Sequence, residues 1–122
     1  MTKKKTWNQV LGKLGESLAE RFFLEHRYLI LNKNYRTPYG EIDLVVEKDG
    51  EIAFIEVKTR TGNEFGFGET SVNAQKLEHL VASAEHYMGV EPVDTENWHI
   101  DVLAIQMNEN KVPEYAWFEN VT

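Results

Sequence analysis

The sequence predicts a mixed α/β fold, in which one β-sheet is flanked by helices in the order α-β-β-β-α-β. Three observations predict it. Two segments carry apolar residues at helical spacing, an Asp49-Gly50 pair joins two apolar runs, and Trp98–Met107 alternates as a strand does. The chain has 122 residues, enough for one core, so residues 1–122 are expected to form a single domain.

The first helix is expected from about Asn8 to His26, where apolar residues recur every three or four positions. These are Leu11, Leu14, Leu18 and Phe22. Gly12 and Gly15 lie inside this helix, at a cost of roughly 1 kcal/mol each relative to alanine, and glycines there usually permit a neighbour to approach closely. A short strand follows at Tyr28–Leu31 and continues irregularly to Tyr35.

The Asp49-Gly50 turn sets the register of the hairpin around it, beginning with a Lys48–Glu51 pair. One face of the hairpin is wholly apolar and requires burial, with the pairs Val46–Ala53, Leu44–Ile55 and Ile42–Val57. The other face carries the pairs Val45–Phe54, Asp43–Glu56 and Glu41–Lys58. Because like charges at directly opposed positions destabilise a sheet, the Asp43–Glu56 pair indicates that a positive group belongs between them.

Two carboxylates in a chain without cysteine suit a hard divalent cation such as Mg²⁺ or Mn²⁺. Magnesium commonly takes one or two protein carboxylates and completes its shell with water and phosphate oxygens. A neighbouring lysine can orient or activate a nucleophilic water, which points to metal-assisted phosphodiester hydrolysis. Charge pairing alone fits equally well a hairpin with one solvated face, where Glu41–Lys58 is an ordinary surface pair.

The spacing of Asp43 and Glu56-Val57-Lys58 resembles the D…E-x-K core of the PD-(D/E)-x-K nuclease superfamily, with Ile42 in place of the nominal proline. Further blocks resemble the YraN-like family of small predicted bacterial endonucleases, which is similar to archaeal Holliday-junction resolvases. These blocks are Gly12-x-x-Gly15-Glu16, Asn34-Tyr35-Arg36, Gly40-Glu41-Ile42-Asp43, Phe54 to Arg60, Lys76 and Ile100-Asp101-Val102. The resemblance runs from about Leu11 to Phe118 and implies a restriction-endonuclease-like fold.

The charge pattern and the resemblance together predict the catalytic residues Asp43, Glu56, Lys58 and Glu16. Asp43, Glu56 and the backbone carbonyl of Val57 are expected to hold Mg²⁺ or Mn²⁺. Lys58 is expected to position or deprotonate the attacking water. Glu16 is expected to be an accessory carboxylate, because its Gly-Glu block matches the family, although its place on the helix fits a solvated glutamate as well.

Basic residues around the hairpin are expected to contact nucleic acid. Arg36 and Arg60 flank it and are predicted to bind phosphates, whereas Lys76 either contacts the scissile phosphate or snorkels to solvent. Phe65 and Phe67 lie in a glycine-rich loop and are expected to pack on the body rather than to stack on bases. The net charge of −7 opposes general nucleic-acid binding, so a modest basic rim around an acidic centre is expected.

The second helix is expected over Ser71–Met88, with Gly89 as its C-cap. Its core side carries Leu77, Leu80, Val81, Ala84 and Met88. A last short strand is expected at Tyr115–Phe118. Asp101 is expected to be structural, and all four histidines are expected to be solvated rather than to form a ligand set.

The sequence therefore predicts a metal-dependent endonuclease that hydrolyses phosphodiester bonds in DNA, with branched or recombination and repair intermediates as candidate substrates. The alternative is a non-catalytic nucleic-acid or protein adaptor that retains a nuclease fold, which the acidic composition favours. The oligomeric state is open, and a homodimer would suit symmetric cutting of two strands. Lys3-Lys4-Lys5 precedes Trp7-Asn8-Gln9 rather than an apolar segment, so a cytoplasmic location without a membrane partner is expected.

Overall fold

A computed structural model describes residues 6–61, 73–108 and 112–122 of the chain. Two helices and five strands alternate in the order α1, β1, β2, β3, α2, β4, β5, which confirms the predicted mixed α/β arrangement. The elements are α1 (Trp7–Glu25), β1 (Leu29–Thr37), β2 (Gly40–Lys48), β3 (Glu51–Thr61), α2 (Ala74–Val90), β4 (Trp98–Met107) and β5 (Glu114–Phe118). The strands form one sheet in the order β1-β2-β3-β4-β5, and only β3 and β4 pair in parallel within it.

The helix ends follow from their capping residues. Thr6 caps α1, and its hydroxyl accepts a hydrogen bond from Gln9 N while the Gln9 side chain accepts one from Thr6 N. Asn73 caps α2 through a hydrogen bond from Lys76 N at 2.8 Å. The prediction that Gly89 ends α2 is wrong, because the helix continues to Val90 and Glu91 N donates to Tyr87 O. The predicted start of this helix at Ser71 lies outside the described residues.

The β2–β3 hairpin has the predicted turn and register. Asp49 and Gly50 both have positive φ, at 52° and 77°, as a two-residue type I′ turn requires. The predicted pairs Lys48–Glu51, Val46–Ala53, Val45–Phe54 and Leu44–Ile55 are confirmed. Within the described residues 40–61, however, no ladder pair joins the two strands beyond Leu44 and Ile55.

The hairpin strands separate at this point because each has another partner. β2 stays paired with β1 as far as Gly40, whereas β3 runs beside β4 as far as Thr61. We call the gap between residues 40–43 of β2 and residues 56–61 of β3 the strand fork. The predicted ladder pairs Ile42–Val57, Asp43–Glu56 and Glu41–Lys58 fall inside it and are not formed.

Both faces of the sheet are buried under helices. The α1 side holds Leu44, Val46, Ala53, Ile55, Ala19 and Phe23. The α2 side holds Ile42, Val45, Ile52, Phe54, Leu80 and Tyr87. Ile42 was expected to share a face with Leu44, but it packs with Val45. Regular alternation therefore breaks at Asp43, where β2 leaves β3.

Gly15 allows α1 to lie directly against β3. A Cβ atom at this position would overlap the Oγ1 atom of Thr59 and would lie 3.3 Å from its Cβ. Gly12, one turn earlier, has no neighbour within 4 Å of the equivalent position. The expected close approach is therefore present at Gly15 and not at Gly12. No helix in the described part of the chain is long and apolar enough to cross a membrane.

Candidate active site at the strand fork

Asp43 occupies the strand fork and replaces part of the missing ladder. Its Oδ2 atom accepts a hydrogen bond of 2.8 Å from the backbone N–H of Val57. That N–H lies on the side of β3 where β2 would otherwise have supplied a carbonyl. The Asp43 carboxyl group is therefore held in the plane of the sheet, between the two separating strands.

Burial and a second acid together raise the pKa of Asp43 to about 7. Burial contributes most, followed by the negative charge of Glu56, whereas the Val57 N–H acts in the opposite direction. A hydrogen bond between the Asp43 and Glu56 carboxyl groups and the charge of Glu16 also raise it. The fork thus brings Asp43 and Glu56 together although they are not a ladder pair.

Glu56 is 6% exposed and carries an unusual oxygen atom. Its Oε2 is fully buried and accepts no hydrogen bond from any residue that the structure describes. Among the described residues, Lys76 is the cation in contact with this oxygen, with its Nζ 3.5 Å away. A buried carboxylate oxygen normally has its hydrogen-bonding capacity filled, so Glu56 retains capacity for a further ligand.

Val57 and Lys58 extend the site along β3. In an extended strand the N–H and C=O of one residue point to the same edge, so the Val57 carbonyl also lies on the fork side. Lys58 is two residues from Glu56 and therefore on the same face of β3. It is half-buried and forms no ion pair or hydrogen bond with another described residue.

The predicted Glu41–Lys58 pair is wrong, and the strand fork is the reason. Glu41 lies on the β1 side of β2, where its Oε1 accepts from Asn34 Nδ2 at 3.1 Å and its Oε2 is 3.6 Å from Arg36 Nε. Lys58 has Ala104 of β4 as its register neighbour. Neither residue therefore neutralises the other.

A cavity of about 200 Å³ opens beside Asp43, between α1, β1 and the fork. It is lined by Lys13, Glu16, Ser17, Glu20, Lys33, Asn34, Asp43, Leu44 and Val57. Glu16 therefore shares a cavity with Asp43. No group of three or more histidine, aspartate or glutamate side chains is placed to hold a metal ion within residues 6–61, 73–108 and 112–122.

Asn34 is a member of this cavity to which the sequence analysis gave no role. Its Nδ2 donates to Glu16 Oε1 at 2.7 Å as well as to Glu41 Oε1, so it joins α1 to β2. Its φ of 50° lies in the left-handed region, which asparagine tolerates better than most residues. An asparagine inside a predicted strand was the available signal.

The three predicted nucleic-acid contacts lie in different environments. Arg36 is 88% exposed, beside Glu41. Arg60 is half-buried, and its Nη1 donates to the carbonyl of Thr59 at 3.2 Å. Lys76 Nζ lies 3.5 Å from Glu56 Oε2, while the Lys76 side chain is 45% exposed. Phe65 and Phe67 lie outside the described residues.

Asp101 is structural, as its contacts show. It is fully buried, and it accepts hydrogen bonds from Trp117 Nε1 at 2.9 Å and from Asn120 N at 2.8 Å. His99 Nε2 lies 3.2 Å from the same carboxylate, and His99 Nδ1 contacts Glu51. The expectation that every histidine is solvated is therefore wrong for His99, because it bridges two acids on neighbouring strands.

Replacing Asp101 by asparagine is expected to lower the free energy of unfolding by roughly 1–2 kcal/mol, because Trp117 Nε1 and Asn120 N donate to different carboxylate oxygens and asparagine keeps an acceptor at only one of those positions. Urea denaturation measures this loss. Asp94→Asn is the matched control, since Asp94 is exposed, and it should change stability by less than about 0.5 kcal/mol. Equal effects of the two substitutions would contradict a structural role for Asp101.

The fold and the site define a class of small mixed α/β proteins in which adjacent acids and a Glu-x-Lys segment meet at a strand fork. The model of the uncharacterised protein family UPF0102 matches residues 15–105. The chain belongs to this UPF0102, or YraN-like, family. The matched range includes Asp43, Glu56, Lys58 and Lys76.

Three relatives illustrate the extent of the similarity. A UPF0102 protein of Syntrophomonas wolfei is 39% identical over 104 residues, which are 85% of this chain and 90% of the relative. A UPF0102 protein of Desulfitobacterium hafniense is 36% identical over 118 residues, which are 93% of this chain and 96% of the relative. A UPF0102 protein of Sulfurihydrogenibium sp. is 37% identical over 98 residues, which are 80% of this chain and 85% of the relative.

Proposed function

We propose that this chain is a divalent-metal-dependent endonuclease that hydrolyses phosphodiester bonds in DNA, including branched recombination or repair intermediates. One observation carries the proposal: Asp43 and Glu56 adjoin each other at the strand fork, and the buried Glu56 Oε2 accepts no hydrogen bond from the residues that the structure describes. Two adjacent acids that serve only stability would be an expensive arrangement, because each disfavours ionisation of the other.

The residues at the fork fit a hard divalent cation. Asp43 and Glu56 would supply carboxylate oxygens, and the Val57 carbonyl would supply a neutral one, which is the ligand chemistry that Mg²⁺ and Mn²⁺ prefer. The Glu56 Oε2 atom is in an ion pair with Lys76 but accepts no hydrogen bond from a described residue, so it offers such a cation an acceptor. Glu16 lies across the cavity from β3 and is the accessory carboxylate in this proposal.

The chain's own residues divide the remaining work. When bound, the metal would polarise the phosphoryl oxygen and stabilise negative charge in the transition state. Lys58 has no partner among the described side chains and is free to orient the attacking water or accept its proton. Arg36, Arg60 and Lys76 are proposed to bind phosphates of the nucleic acid, where guanidinium and ammonium groups supply the affinity.

A non-catalytic adaptor is the second candidate. The net charge of −7 favours it, and so does the finding that, within the described ranges, no three histidine, aspartate or glutamate side chains are placed to hold a metal ion. The two candidates differ in what Lys58 does. An adaptor has no need for an unpaired lysine beside buried acids, whereas hydrolysis needs a group that handles the water.

A cleavage assay separates the candidates, with Mg²⁺ or Mn²⁺ and a panel of linear, nicked, flapped and four-way branched DNAs. The parent chain is expected to cleave at least one of these DNAs, and EDTA is expected to stop the cleavage. Lys58→Met is expected to lower the rate on the order of 100-fold without lowering the melting temperature, because Lys58 forms no ion pair or hydrogen bond with a described residue and methionine preserves its apolar stem.

Lys48→Met is the matched control for this experiment. Lys48 lies on the same hairpin but donates to His26 O at 3.0 Å, at the end remote from the fork. Its loss should leave the cleavage rate unchanged. DNA binding by the parent without cleavage of any substrate would favour the adaptor.

A further inference from the structure

We infer that Lys76 holds the cation position beside Glu56, so that a divalent metal must displace its ammonium group in order to bind. The inference rests on the proposed metal site and adds to it a competitor supplied by the chain itself. Lys76 was expected to snorkel or to contact a phosphate. Its position against the buried oxygen of Glu56 gives it this further role.

The ion pair joins a fixed partner to a movable one. Glu56 lies on the central strand β3 with its side chain 7% exposed, whereas the Lys76 side chain is 45% exposed. The Lys76 backbone is held in the first turn of α2, where its N–H donates to the Asn73 cap. Displacement therefore requires only rotation about the lysine side-chain bonds, and no movement of the helix.

The pair is also loosely made. Lys76 Nζ is 3.5 Å from Glu56 Oε2, and that oxygen accepts no hydrogen bond from the described residues. A strong ammonium–carboxylate contact has a donor–acceptor distance of about 2.7–2.9 Å. The ammonium thus neutralises the carboxylate without filling its hydrogen-bonding capacity, and a metal could replace it at modest cost.

The surrounding charges favour the exchange. Asp43 and Glu56 place two acids at the fork, and among the described side chains Lys76 is the cation in contact with Glu56. A divalent cation would bring more positive charge than the single ammonium it displaces. The displaced ammonium would then be repelled by the metal and drawn toward the solvent edge, where a phosphate can reach it.

Mn²⁺ binding to the parent, Lys76→Met and Lys33→Met tests the inference, with free Mn²⁺ measured by electron paramagnetic resonance. Lys76→Met is expected to bind Mn²⁺ roughly threefold to tenfold more tightly, because the competing ion pair is removed. Lys33→Met is the matched control, since Lys33 pairs with Glu20 at 3.4 Å and lines the neighbouring cavity. Its affinity should stay within about twofold of the parent.

The outcomes separate this inference from the proposed function. One outcome is that Lys76→Met binds Mn²⁺ no more tightly than the parent, while adding Asp43→Asn to either protein abolishes Mn²⁺ binding. That outcome would overturn the inference and leave the proposed metal site standing. Absence of Mn²⁺ binding from parent and variant alike would overturn both. Tighter binding by Lys76→Met alone supports displacement.

A measurement on the unmodified chain covers the case in which Lys76→Met fails to fold. The side-chain ammonium resonance of Lys76, assigned by nitrogen-15 NMR, is expected to move toward the position of a solvated lysine as Mg²⁺ is added. The same titration of Asp43→Asn should leave it in place. A Lys76 resonance that ignores Mg²⁺, while the backbone signals of Asp43 and Glu56 shift, would overturn the inference.

Discussion

Asp43→Asn is expected to abolish phosphodiester cleavage, by about 1,000-fold or more, and to stabilise the fold at neutral pH. The activity loss follows because Asp43 would hold the cation that stabilises the transition state. The stability gain follows because asparagine keeps an acceptor for Val57 N–H and presents an amide donor to Glu56. A buried charge beside another acid is removed at the same time.

The stability gain should depend on pH in a defined direction. The pKa of Asp43 rises from 3.8 to about 7 on folding, mainly through burial. The folded chain therefore retains a proton that the unfolded chain has lost, and the parent loses stability as pH increases from about 4 to about 7. Asp43→Asn lacks this loss, so its advantage should be absent near pH 4 and reach roughly 1–3 kcal/mol above pH 7.

Urea denaturation in EDTA at pH 4.5 and pH 8 measures this difference. Glu56→Gln is expected to be at least as stable as the parent at pH 8, because it removes the negative charge that Asp43 faces. Glu20→Gln is the control, since Glu20 lines the same cavity but pairs with Lys33. If Asp43→Asn and Glu56→Gln both unfold at a much lower urea concentration than the parent at pH 8, these acids are structural. The adaptor then becomes the better account.

Gly15→Ala is expected to lower the free energy of unfolding by roughly 2–3 kcal/mol, although alanine favours helices. Its Cβ would overlap Thr59 Oγ1 and lie 3.3 Å from Thr59 Cβ, so rotation of the threonine hydroxyl leaves a tight contact and α1 is expected to move away from β3. Glu16, the next residue, would move with the helix and leave the cavity beside Asp43. Denaturant titration measures the loss, and a smaller Glu16 contribution to cleavage would accompany it.

Two variants check that contact with Thr59 is the cause. Gly12→Ala has open space around it and should stabilise the chain by up to about 1 kcal/mol. Gly15→Ala in a Thr59→Ala background should cost much less than in the parent, as a double-mutant cycle would show. A loss that is unchanged by Thr59→Ala would mean that some other contact limits the approach of α1.

Local patterns in the sequence were sufficient to predict the β2–β3 hairpin and to predict that Asp43 and Glu56 lie next to each other. The Asp49-Gly50 turn requires positive φ at two positions, so it determined the register from Lys48–Glu51 to Leu44–Ile55. Alternation likewise located β4 at Trp98–Met107. Both signals come from residues that are close together in the chain, and short-range geometry is what such patterns encode.

The strand fork could not be predicted in the same way, because it depends on competition between distant partners. Ile42 and Glu41 pair with β1, whereas Val57 and Lys58 pair with β4. The β4 partners of Val57 and Lys58 are Leu103 and Ala104, which lie more than forty positions further along the chain. His99 likewise bridges two acids because the pairing of β3 with β4 brings it beside Glu51 as well as Asp101. Extending the hairpin register beyond Leu44 therefore predicted correctly that Asp43 and Glu56 are adjacent, although they are not a ladder pair. It predicted the wrong partner for Lys58.

The hydrogen bond between Val57 and Asp43 makes one backbone amide a natural spectroscopic probe of the site. Its proton points at the carboxylate that titrates near neutral pH, so the amide chemical shift senses whether that carboxylate is charged, protonated or bound to a cation. The amide belongs to a central strand and is held by the sheet on its other side. Occupancy of the fork can thus be followed from within the protein without a label, a substrate or a substitution.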